Sequence, residues 1–286
     1  MTRVKKYIAW GILLLLCVVA CSLVLYWRIR PVRYAVFAGY NKNEEIAPYV
    51  VTYLKGLDKV TDGIVYIADS PLKDGELEKL KGINIIYTKH ERHNEYDWGS
   101  YKRGYVWLKE NGYLRNADEL VLANDSVYAP LTSFKPMFKK MAENKNISFW
   151  GNTISKYRFP HIQSYFMVFR KDVFNSEVFD KFFRGITHLK KHKDYVFDYE
   201  VPLTYELRLK GFFYQSYMPV VSMDFARDYN DNPCVYPLVY IKKYKNQFIK
   251  RKVFISPDEN LLESLDEILE YLKNNYKKTY DDIKQS

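Results

Sequence analysis

The chain has 286 residues, and its 44 lysines and arginines outnumber its 34 aspartates and glutamates, for a net charge of +10. This surplus favours anionic partners such as nucleotides and lipid phosphates. No zinc-finger, basic-zipper or RNA-recognition signature accompanies it, so we expect no nucleic-acid partner. Cys234 is the only cysteine outside the apolar segment at 7–27, so no disulfide is expected in the rest of the chain.

The apolar segment at 7–27 predicts a transmembrane helix. It carries no charged residue, and at about 1.5 Å per residue it reaches roughly 30 Å, the thickness of a bilayer's hydrocarbon core. Residues 1–6 form a basic flank before it and three arginines lie at 28–33 after it, so the flanking charges do not orient the span. The alternatives are a cleavable signal peptide and a lipoprotein box ending at Cys21, but both would leave apolar sequence where polar sequence is expected.

After residue 28, short runs rich in β-branched and aromatic residues alternate with helical stretches, which is typical of a mostly parallel sheet with flanking helices. The predicted strands are 34–38, 63–68, 84–87, 119–123, 147–150 and 165–169. The predicted helices are 46–58, 75–80, 99–111, 130–144, 176–185 and 199–210. The sequence therefore predicts an α/β fold.

Polar loops follow the first four predicted strands, where ligands bind in open sheets of this kind. These loops lie at 39–41, 69–70, 90–99 and 124–126. Neither a Walker A motif nor GxGxxG occurs, which argues against a P-loop kinase or a nicotinamide dehydrogenase. The folds that remain hold a diphosphate through a metal and a carboxylate.

The C-terminal part changes character. The basic run at 242–252 predicts a solvated face, with contact to anionic lipid as the alternative. After it, residues 256–286 predict an amphipathic helix that packs on the domain. Its apolar stripe consists of Leu261, Leu262, Leu265, Ile268, Leu269 and Leu272.

The most informative motif is Asn124-Asp125-Ser126, which directly follows an apolar strand. A carboxylate at this point can ligate Mg²⁺ or Mn²⁺, and the cation would neutralise a diphosphate leaving group. The alternative is an ordinary turn or helix cap, because these residue types also favour turns.

Several separated blocks occur in register along the chain: EYDWGSYKRG (95–104), ADELVLANDSVYAPL (117–131), FWGNT (149–153), HIQSYFMVFRKDVF (161–174) and DYEVPLTYELRLKGF (198–212). Together they resemble the rhamnan synthesis protein F family of bacterial glycosyltransferase-like proteins, over roughly residues 33–255. The resemblance implies a GT-A-like, Rossmann-type fold with a nucleotide-sugar-binding half at 28–150 and an acceptor-binding half at 151–255.

The resemblance also implies roles for individual acidic residues. By position, Asp125 looks like the metal-binding aspartate of GT-A enzymes, which implies a divalent cation, Mg²⁺ or Mn²⁺. The chain has Asn-Asp-Ser where many such enzymes have Asp-x-Asp, so the metal has a single carboxylate in this motif. Independently of the resemblance, Glu200 is the candidate general base, because it opens a predicted helix beside Asp198, the second catalytic carboxylate, and such a pair can split its pKa values. The alternative is that both acids cap a helix.

Residues in the predicted loops and helices complete the site. The candidates for contact with the nucleotide sugar are Tyr40, Asp69, Asp97, Trp98, Lys102, Arg103 and Asn124, and those for the acceptor are His161, Gln163 and Ser164. The alternatives are core packing for Trp98, a solvated helix face for Lys102 and Arg103, and sheet-edge hydrogen bonds for the acceptor candidates.

The resemblance implies a glycosyltransferase of the hexosyltransferase type, and the span predicted at 7–27 would anchor it to a membrane. It would move rhamnose or a related sugar from a dTDP-, UDP- or GDP-linked donor to a lipid-linked glycan of cell-surface polysaccharide or lipopolysaccharide. The alternative is a catalytically silent glycan-binding or assembly-scaffold protein on the same fold. Because nucleotide sugars are cytosolic in bacteria, we expect a single-pass protein of the bacterial inner membrane with residues 28–286 in the cytoplasm.

Overall fold

A computed structural model describes residues 8, 10–20, 31–156, 158–218, 234–257, 261 and 263–286. The chain divides into two compact units, Met1–Val32 and Arg33–Ser286. In the first unit, the described helical residues have large apolar side chains that are about half to 70% exposed. Across the part of the chain that is described, no helix is long and apolar enough to cross a membrane. The basic flank at 1–6 and positions 7, 9 and 21–27 of the predicted span lie outside that part.

The second unit is organised around a β-sheet. Its strands are β1 Arg33–Gly39, β2 Gly63–Ala68, β3 Ile85–His90, β4 Glu119–Asn124, β5 Val127–Tyr128, β6 Phe149–Gly151, β7 Ile154–Ser155, β8 His161–Ile162, β9 Phe166–Arg170, β10 Tyr214–Ser216 and β11 Ile249–Lys250. Seven of them form one sheet with the order β10-β6-β9-β4-β1-β2-β3. Within it, β1 to β4 pair with one another in parallel, whereas β9 is antiparallel to both β4 and β6. Two short antiparallel pairs, β5 with β11 and β7 with β8, lie outside this sheet.

Helices connect and cover the strands. They are α1 Pro48–Asp58, α2 Tyr96–Glu110, α3 Lys135–Glu143, α4 Lys171–Phe174, α5 Glu177–Arg184, α6 His192–Tyr195, α7 Val201–Leu209, α8 Pro237–Tyr244, α9 Lys252–Ile255, α10 Leu265–Asn275 and α11 Lys277–Lys284. Short 3₁₀ helices lie at Glu76–Leu80 and Tyr113–Arg115, and a π-helix at Val196–Glu200 leads into α7.

Hydrophobic residues cover both faces of the sheet. In β1, Ala35 and Phe37 belong to one buried cluster, and Val36 and Ala38 belong to another. Successive side chains of a strand point to opposite faces, so the two clusters lie on opposite sides of the sheet. Burial on both faces is typical of parallel sheets in α/β proteins. The predicted α/β sheet with flanking helices is therefore confirmed, and both clusters of its core lie in Arg33–Ser286.

Two predictions for the middle of the chain need correction or remain open. The helix predicted from residue 130 begins at Lys135, because the Leu131 amide donates to the Gln247 carbonyl at 3.0 Å and the Thr132 amide to Gln247 Oε1 at 2.9 Å. These bonds hold the backbone outside a helix. The boundary predicted at 150/151 falls inside β6, which belongs to the continuous sheet. The assignment of the halves to donor and acceptor stays a prediction.

The C-terminal predictions need two corrections. Residues 256–286 contain two helices rather than one, since α10 starts after Ser264, whose hydroxyl caps the Glu267 amide at 3.1 Å, and Tyr276 separates α10 from α11. Leu262 of the predicted stripe lies outside the described residues. The basic run at 242–252 is a solvated face only in part, since Lys242, Lys243, Lys245 and Lys252 are exposed and residues 246–249 are buried. It contributes the end of α8, strand β11 and the start of α9, with Phe248 and Ile249 buried.

Candidate functional site

A cavity of about 330 Å³ lies where the carboxyl ends of β1, β2 and β4 meet. Parallel strands bring their carboxyl ends to one edge of the sheet, so the loops that follow them converge there. Five residues predicted from the sequence line it. The lining residues are Ala38, Gly39, Tyr40, Asp69, Arg92, Tyr96, Asp97, Asn124, Asp125 and Ser126.

Asp125 follows β4 directly and is partly exposed to this cavity. Its Oδ2 accepts a hydrogen bond from the Tyr40 amide at 2.7 Å, which joins the ends of β4 and β1. Burial raises the pKa of Asp125 to about 6; the Tyr40 amide and Arg251 oppose the rise, and the negative charge of Asp97 adds to it. A carboxylate that is costly to ionise and still borders a cavity is suited to a cationic ligand.

Asn124 holds the neighbouring groups in place. Its Nδ2 donates to Asp97 Oδ2 at 2.7 Å, and its Oδ1 accepts from the Ser126 amide at 3.1 Å and the Ser126 hydroxyl at 2.6 Å. These bonds tie the first turn of α2 to the turn after β4. Asp97 is thereby fixed at the cavity wall near Asp125.

Asp69 lines the cavity, but its carboxylate is hydrogen-bonded to the backbone amides of a neighbouring loop. Its Oδ1 accepts from the amides of His93 at 2.8 Å and Asn94 at 2.9 Å, and its Oδ2 accepts from the Tyr96 amide at 3.2 Å. The residue is only 3% exposed. Asp69 therefore shapes the loop between β3 and α2, and its acceptor capacity is largely used.

Arg92 is a cavity residue that was not among the predicted contacts. Its Nη1 donates to the Asp69 carbonyl at 2.8 Å, and its Cζ lies 4.9 Å from the centre of the Tyr40 ring. The side chain remains 46% exposed. It brings a positive charge to a cavity that also has two partly exposed carboxylates. The loop at 90–99 was predicted to carry ligand contacts, but no motif distinguished this arginine from the loop's other polar residues.

Three residues of α2 that were predicted to contact the nucleotide sugar do not border the cavity. Trp98 is 2% exposed and packs against Tyr101, at 5.9 Å between ring centres, so it belongs to the core and cannot grip a base. Lys102 donates to the Ile186 carbonyl at 2.6 Å. Arg103 donates to the Glu95 carboxylate and is committed to that ion pair. These side chains therefore pack the core and fix α2.

Glu200 lies in a second polar cluster with two of the acceptor candidates. Its Oε1 lies 3.2 Å from His161 Nε2, and its Oε2 accepts from the Ser164 amide at 3.2 Å and from the Ser164 hydroxyl. Burial alone would raise the pKa of Glu200, but the hydrogen bonds from His161 and Ser164 outweigh it and lower the pKa. Gln163, the third acceptor candidate, accepts from the Thr153 hydroxyl at 2.7 Å instead.

The cavity and this polar cluster are linked through α2 and through the end of β4. The Tyr101 hydroxyl donates to the Ser164 carbonyl at 2.8 Å, and the Tyr165 carbonyl accepts from the Asn124 amide at 3.3 Å. The cavity at Asp125 and the cluster at Glu200 therefore belong to one connected network.

Asp198 is not part of either cluster. It is exposed and lines a separate groove of about 690 Å³, together with Glu206 and Lys210 of α7 and its C-terminal end. Residues two positions apart in a helix do not share a face, so Asp198 and Glu200 point to different surroundings. The carboxylate pair predicted from their spacing is not formed.

Strand β11 brings two further cations to the network, and neither was predicted. The Arg251 amide donates to the Ser126 carbonyl at 3.0 Å, and its Nη1 donates to the Asp125 carbonyl at 3.4 Å. Lys250 Nζ lies 3.7 Å from the centre of the Tyr165 ring, and burial lowers its pKa. Only the pairing of β11 with β5 places them here, and this contact across more than 120 residues left no local signal.

The carboxylates at the cavity can hold a divalent cation only if a bound diphosphate supplies further oxygen ligands. Within the described ranges, no group of three or more His, Cys, Asp or Glu side chains could hold a metal by itself. Asp125 and Asp97 border one cavity, and the charge of Asp97 raises the pKa of Asp125. Mg²⁺ is commonly held by one or two carboxylates plus substrate phosphates. The two aspartates match that arrangement if a diphosphate completes it.

Comparison with known sequences identifies a family. The profile of the family described as Rhamnan synthesis protein F matches residues 64–284. An uncharacterized protein of Sinorhizobium fredii, y4gN, is 28% identical over 154 residues, which cover 52% of this chain and 39% of that protein. The matched segment thus spans about two fifths of that relative's length.

Solved structures similar to this chain include two glycosyltransferases and a nucleotidyltransferase. A glycosyltransferase involved in glycosylation of the major capsid of PBCV-1 has a TM-score of 0.40 at 12% identity, covering 76% of this chain and 92% of its own. Core-mannan synthase A of Aspergillus fumigatus, in a Mn/GDP form, has a TM-score of 0.36 at 12% identity, with coverages of 63% and 70%. A cytidylyltransferase of Leptospira borgpetersenii has a TM-score of 0.37 at 15% identity, with coverages of 87% and 97%.

Proposed function

The chain belongs to the rhamnan synthesis protein F family, and from that premise we propose that it is a membrane-anchored glycosyltransferase of the hexosyltransferase type with a GT-A-like fold. Its reaction moves rhamnose or a related sugar from a nucleotide-sugar donor to a lipid-linked glycan of the cell surface. The observation that carries this proposal is Asp125, a carboxylate at the end of β4 that opens onto a cavity of about 330 Å³.

The cavity offers complementary groups for a nucleoside diphosphate. Arg92 supplies a partly exposed guanidinium, which favours phosphate oxygens because of its charge and planar donors. Tyr40 and Tyr96 are 49% and 41% exposed, and both line the cavity, so their rings can stack against a base or ribose. A volume of about 330 Å³ accommodates part of a nucleotide sugar.

A divalent cation would be held by Asp125 and Asp97. When bound with the donor, it supplies a positive charge that stabilises the diphosphate as it leaves the sugar. The chain's own contribution is to fix both carboxylates: the Tyr40 amide orients Asp125 and the Asn124 amide group orients Asp97. Arg251 stabilises the same turn, because its Nη1 donates to the Asp125 carbonyl.

Glu200 fits a positioning role better than that of a general base. A base needs a pKa near the working pH and a free acceptor position. The pKa of Glu200 is lowered, and its carboxylate already accepts from Ser164 and lies 3.2 Å from His161. We propose that Glu200 orients His161 and Ser164 beside the acceptor.

The proposal includes membrane attachment through residues 7–27 and a cytoplasmic location for the folded unit. The uncharged apolar segment at 7–27 and the exposed apolar side chains of helical residues 10–20 support membrane attachment. Because the donor is cytosolic, we place Arg33–Ser286 on the cytoplasmic face of the bacterial inner membrane. Protease digestion of this unit from outside intact cells would contradict that placement.

Donor binding and turnover test the proposed function. The full chain in detergent is melted with dTDP, UDP, GDP or CMP, each with and without Mn²⁺. We expect at least one nucleotide to raise the melting temperature in a Mn²⁺-dependent way, because a ligand of the native state stabilises it. The corresponding donor should be hydrolysed slowly by the chain and not by Asp125→Ala. Binding without hydrolysis or transfer would indicate a silent glycan-binding or scaffold protein, and no binding at all would reject the donor site.

A further inference from the structure

A group of large apolar side chains lies exposed on one surface of the folded domain. Phe159, Tyr205 and Leu209 are 58%, 50% and 68% exposed. We call these three residues the aromatic patch. Single exposed apolar side chains are normal, whereas a contiguous group marks an interaction surface.

The patch is contiguous across two elements. The rings of Phe159 and Tyr205 lie 5.8 Å apart, which joins the β7–β8 loop to α7. Tyr205 and Leu209 are four positions apart on α7 and so share one helix face. The Tyr214 hydroxyl donates to the Pro160 carbonyl at 3.1 Å, which fixes the patch loop to β10.

Cations border the patch. Lys156, Arg158 and Arg208 are all exposed, and the Arg208 Cζ lies 5.7 Å from the centre of the Tyr214 ring. The acidic residue next to the patch on α7, Glu206, lines the separate groove that contains Asp198. The surface therefore combines exposed aromatic and leucine side chains with a basic rim.

We propose that the aromatic patch docks on an anionic lipid surface. Aromatic and leucine side chains enter the boundary between head groups and acyl chains, and adjacent lysines and arginines are attracted to anionic head groups. This contact involves the folded domain and is separate from the predicted span at 7–27.

The aromatic patch lies beside the residues assigned to the acceptor, so the membrane contact would place them near a lipid-linked acceptor. This link rests on the proposed function. His161 follows the patch loop directly, and its Nδ1 lies 2.7 Å from the Phe159 carbonyl. Glu200 immediately precedes α7, which carries Tyr205 and Leu209. The elements that hold the acceptor candidates are thus the ones that would touch the membrane, where a lipid-linked acceptor resides.

Vesicle binding by residues 33–286 tests the proposal, because this unit contains the whole sheet and both hydrophobic clusters. Vesicles contain phosphatidylcholine with or without phosphatidylglycerol. We expect binding to the anionic vesicles that falls at high salt. The double variant Phe159→Ser/Tyr205→Ser should bind at least tenfold more weakly, and Leu209→Ser should weaken binding to a smaller extent. Ile255→Ser removes an equally exposed side chain, 66%, elsewhere and should leave binding unchanged.

Charge reversal gives the second arm. Arg158→Glu/Arg208→Glu should abolish the preference for anionic vesicles, whereas Arg115→Glu, at another exposed site, should not. Circular dichroism and melting curves check that each variant is folded. Binding by the patch variants equal to that of the unchanged domain would overturn the proposal, as would a loss of self-association without a loss of vesicle binding. No donor takes part, so this result is independent of the glycosyltransferase assignment.

Discussion

Asp125 and Glu200 are two carboxylates of one network with opposite surroundings. Asp125 accepts one hydrogen bond from outside its own turn, from the Tyr40 amide, and opens onto the cavity. Glu200 is enclosed by His161 and Ser164. Burial disfavours the charge of both, but only Glu200 has enough donors to reverse the effect, so the pKa of Asp125 is raised and that of Glu200 is lowered.

This difference indicates which of the two carboxylates can bind a ligand and which stabilises the fold. A carboxylate with all its acceptor positions occupied stabilises the fold and offers little to a ligand. A carboxylate left short of donors next to a cavity gains when a cation arrives. On this comparison, Asp125 is the functional acid of the network, and Glu200 maintains the shape of the acceptor side.

The largest expected effect is on turnover at Asp125. Asp125→Ala removes the carboxylate that would hold the cation, and we expect donor turnover to fall by about a hundredfold or more, the usual size of losing one charge contact in the transition state. Glu177→Ala, an exposed acid outside the cavity, serves as the control. Turnover is measured as release of nucleoside diphosphate. Unchanged turnover in Asp125→Ala would break the comparison.

The next effect is on stability at Glu200. Glu200→Ala leaves His161 and Ser164 with buried donors that lack a partner, and we expect the free energy of unfolding to fall by about 3 kcal/mol. Glu200→Gln keeps one acceptor and should cost less. Urea denaturation at neutral pH provides the measurement. A loss below about 0.5 kcal/mol for the alanine variant would mean that Glu200 is not the architectural acid.

Asp125→Asn should have the opposite sign. The pKa of Asp125 rises from 3.8 in the unfolded chain to about 6 in the fold, so ionisation costs stability as pH rises through this window, fully so above it. The isosteric amide avoids the cost, and we expect it to raise the free energy of unfolding by about 2 kcal/mol at neutral pH and by almost nothing below the unfolded value. Urea denaturation across this pH range checks both limits. A loss of stability at neutral pH would contradict the raised pKa.

The smallest effect concerns Arg92. Its guanidinium is partly exposed and faces the cavity, so Arg92→Ala should weaken binding of a nucleoside diphosphate by about tenfold, and less at high salt. Calorimetric titration measures the affinity, with Arg115→Ala as the exposed control. An affinity that does not change would place the phosphates elsewhere.

Much of this site could be predicted from the sequence, for a physical reason. Parallel strands place their carboxyl ends together, so apolar runs that end in Tyr40, Asp69 and Asn124-Asp125 indicate one edge of the sheet. Trp98 could not be assigned in this way, because its position after a strand says nothing about which face of α2 it lies on.

The contribution of β11 could not be predicted at all. Its two residues are too few to show a strand period, and the neighbouring lysines gave the run the composition of a solvated surface. Only its long-range pairing with β5 brings Arg251 to the turn at Asp125. Nor could the sequence show whether the acceptor positions of a carboxylate are used. For Glu200 they are used by His161 and Ser164, which lie more than 35 residues away in the chain.

The most direct test of the central claim is electron paramagnetic resonance of Mn²⁺ titrated into the full chain with and without the nucleoside diphosphate that stabilises it. We predict tight Mn²⁺ binding only when the nucleotide is present. Binding should be lost in Asp125→Asn and retained in Glu200→Gln. Nucleotide-dependent Mn²⁺ binding that survives Asp125→Asn, or that disappears in a folded Glu200→Gln, would contradict the account.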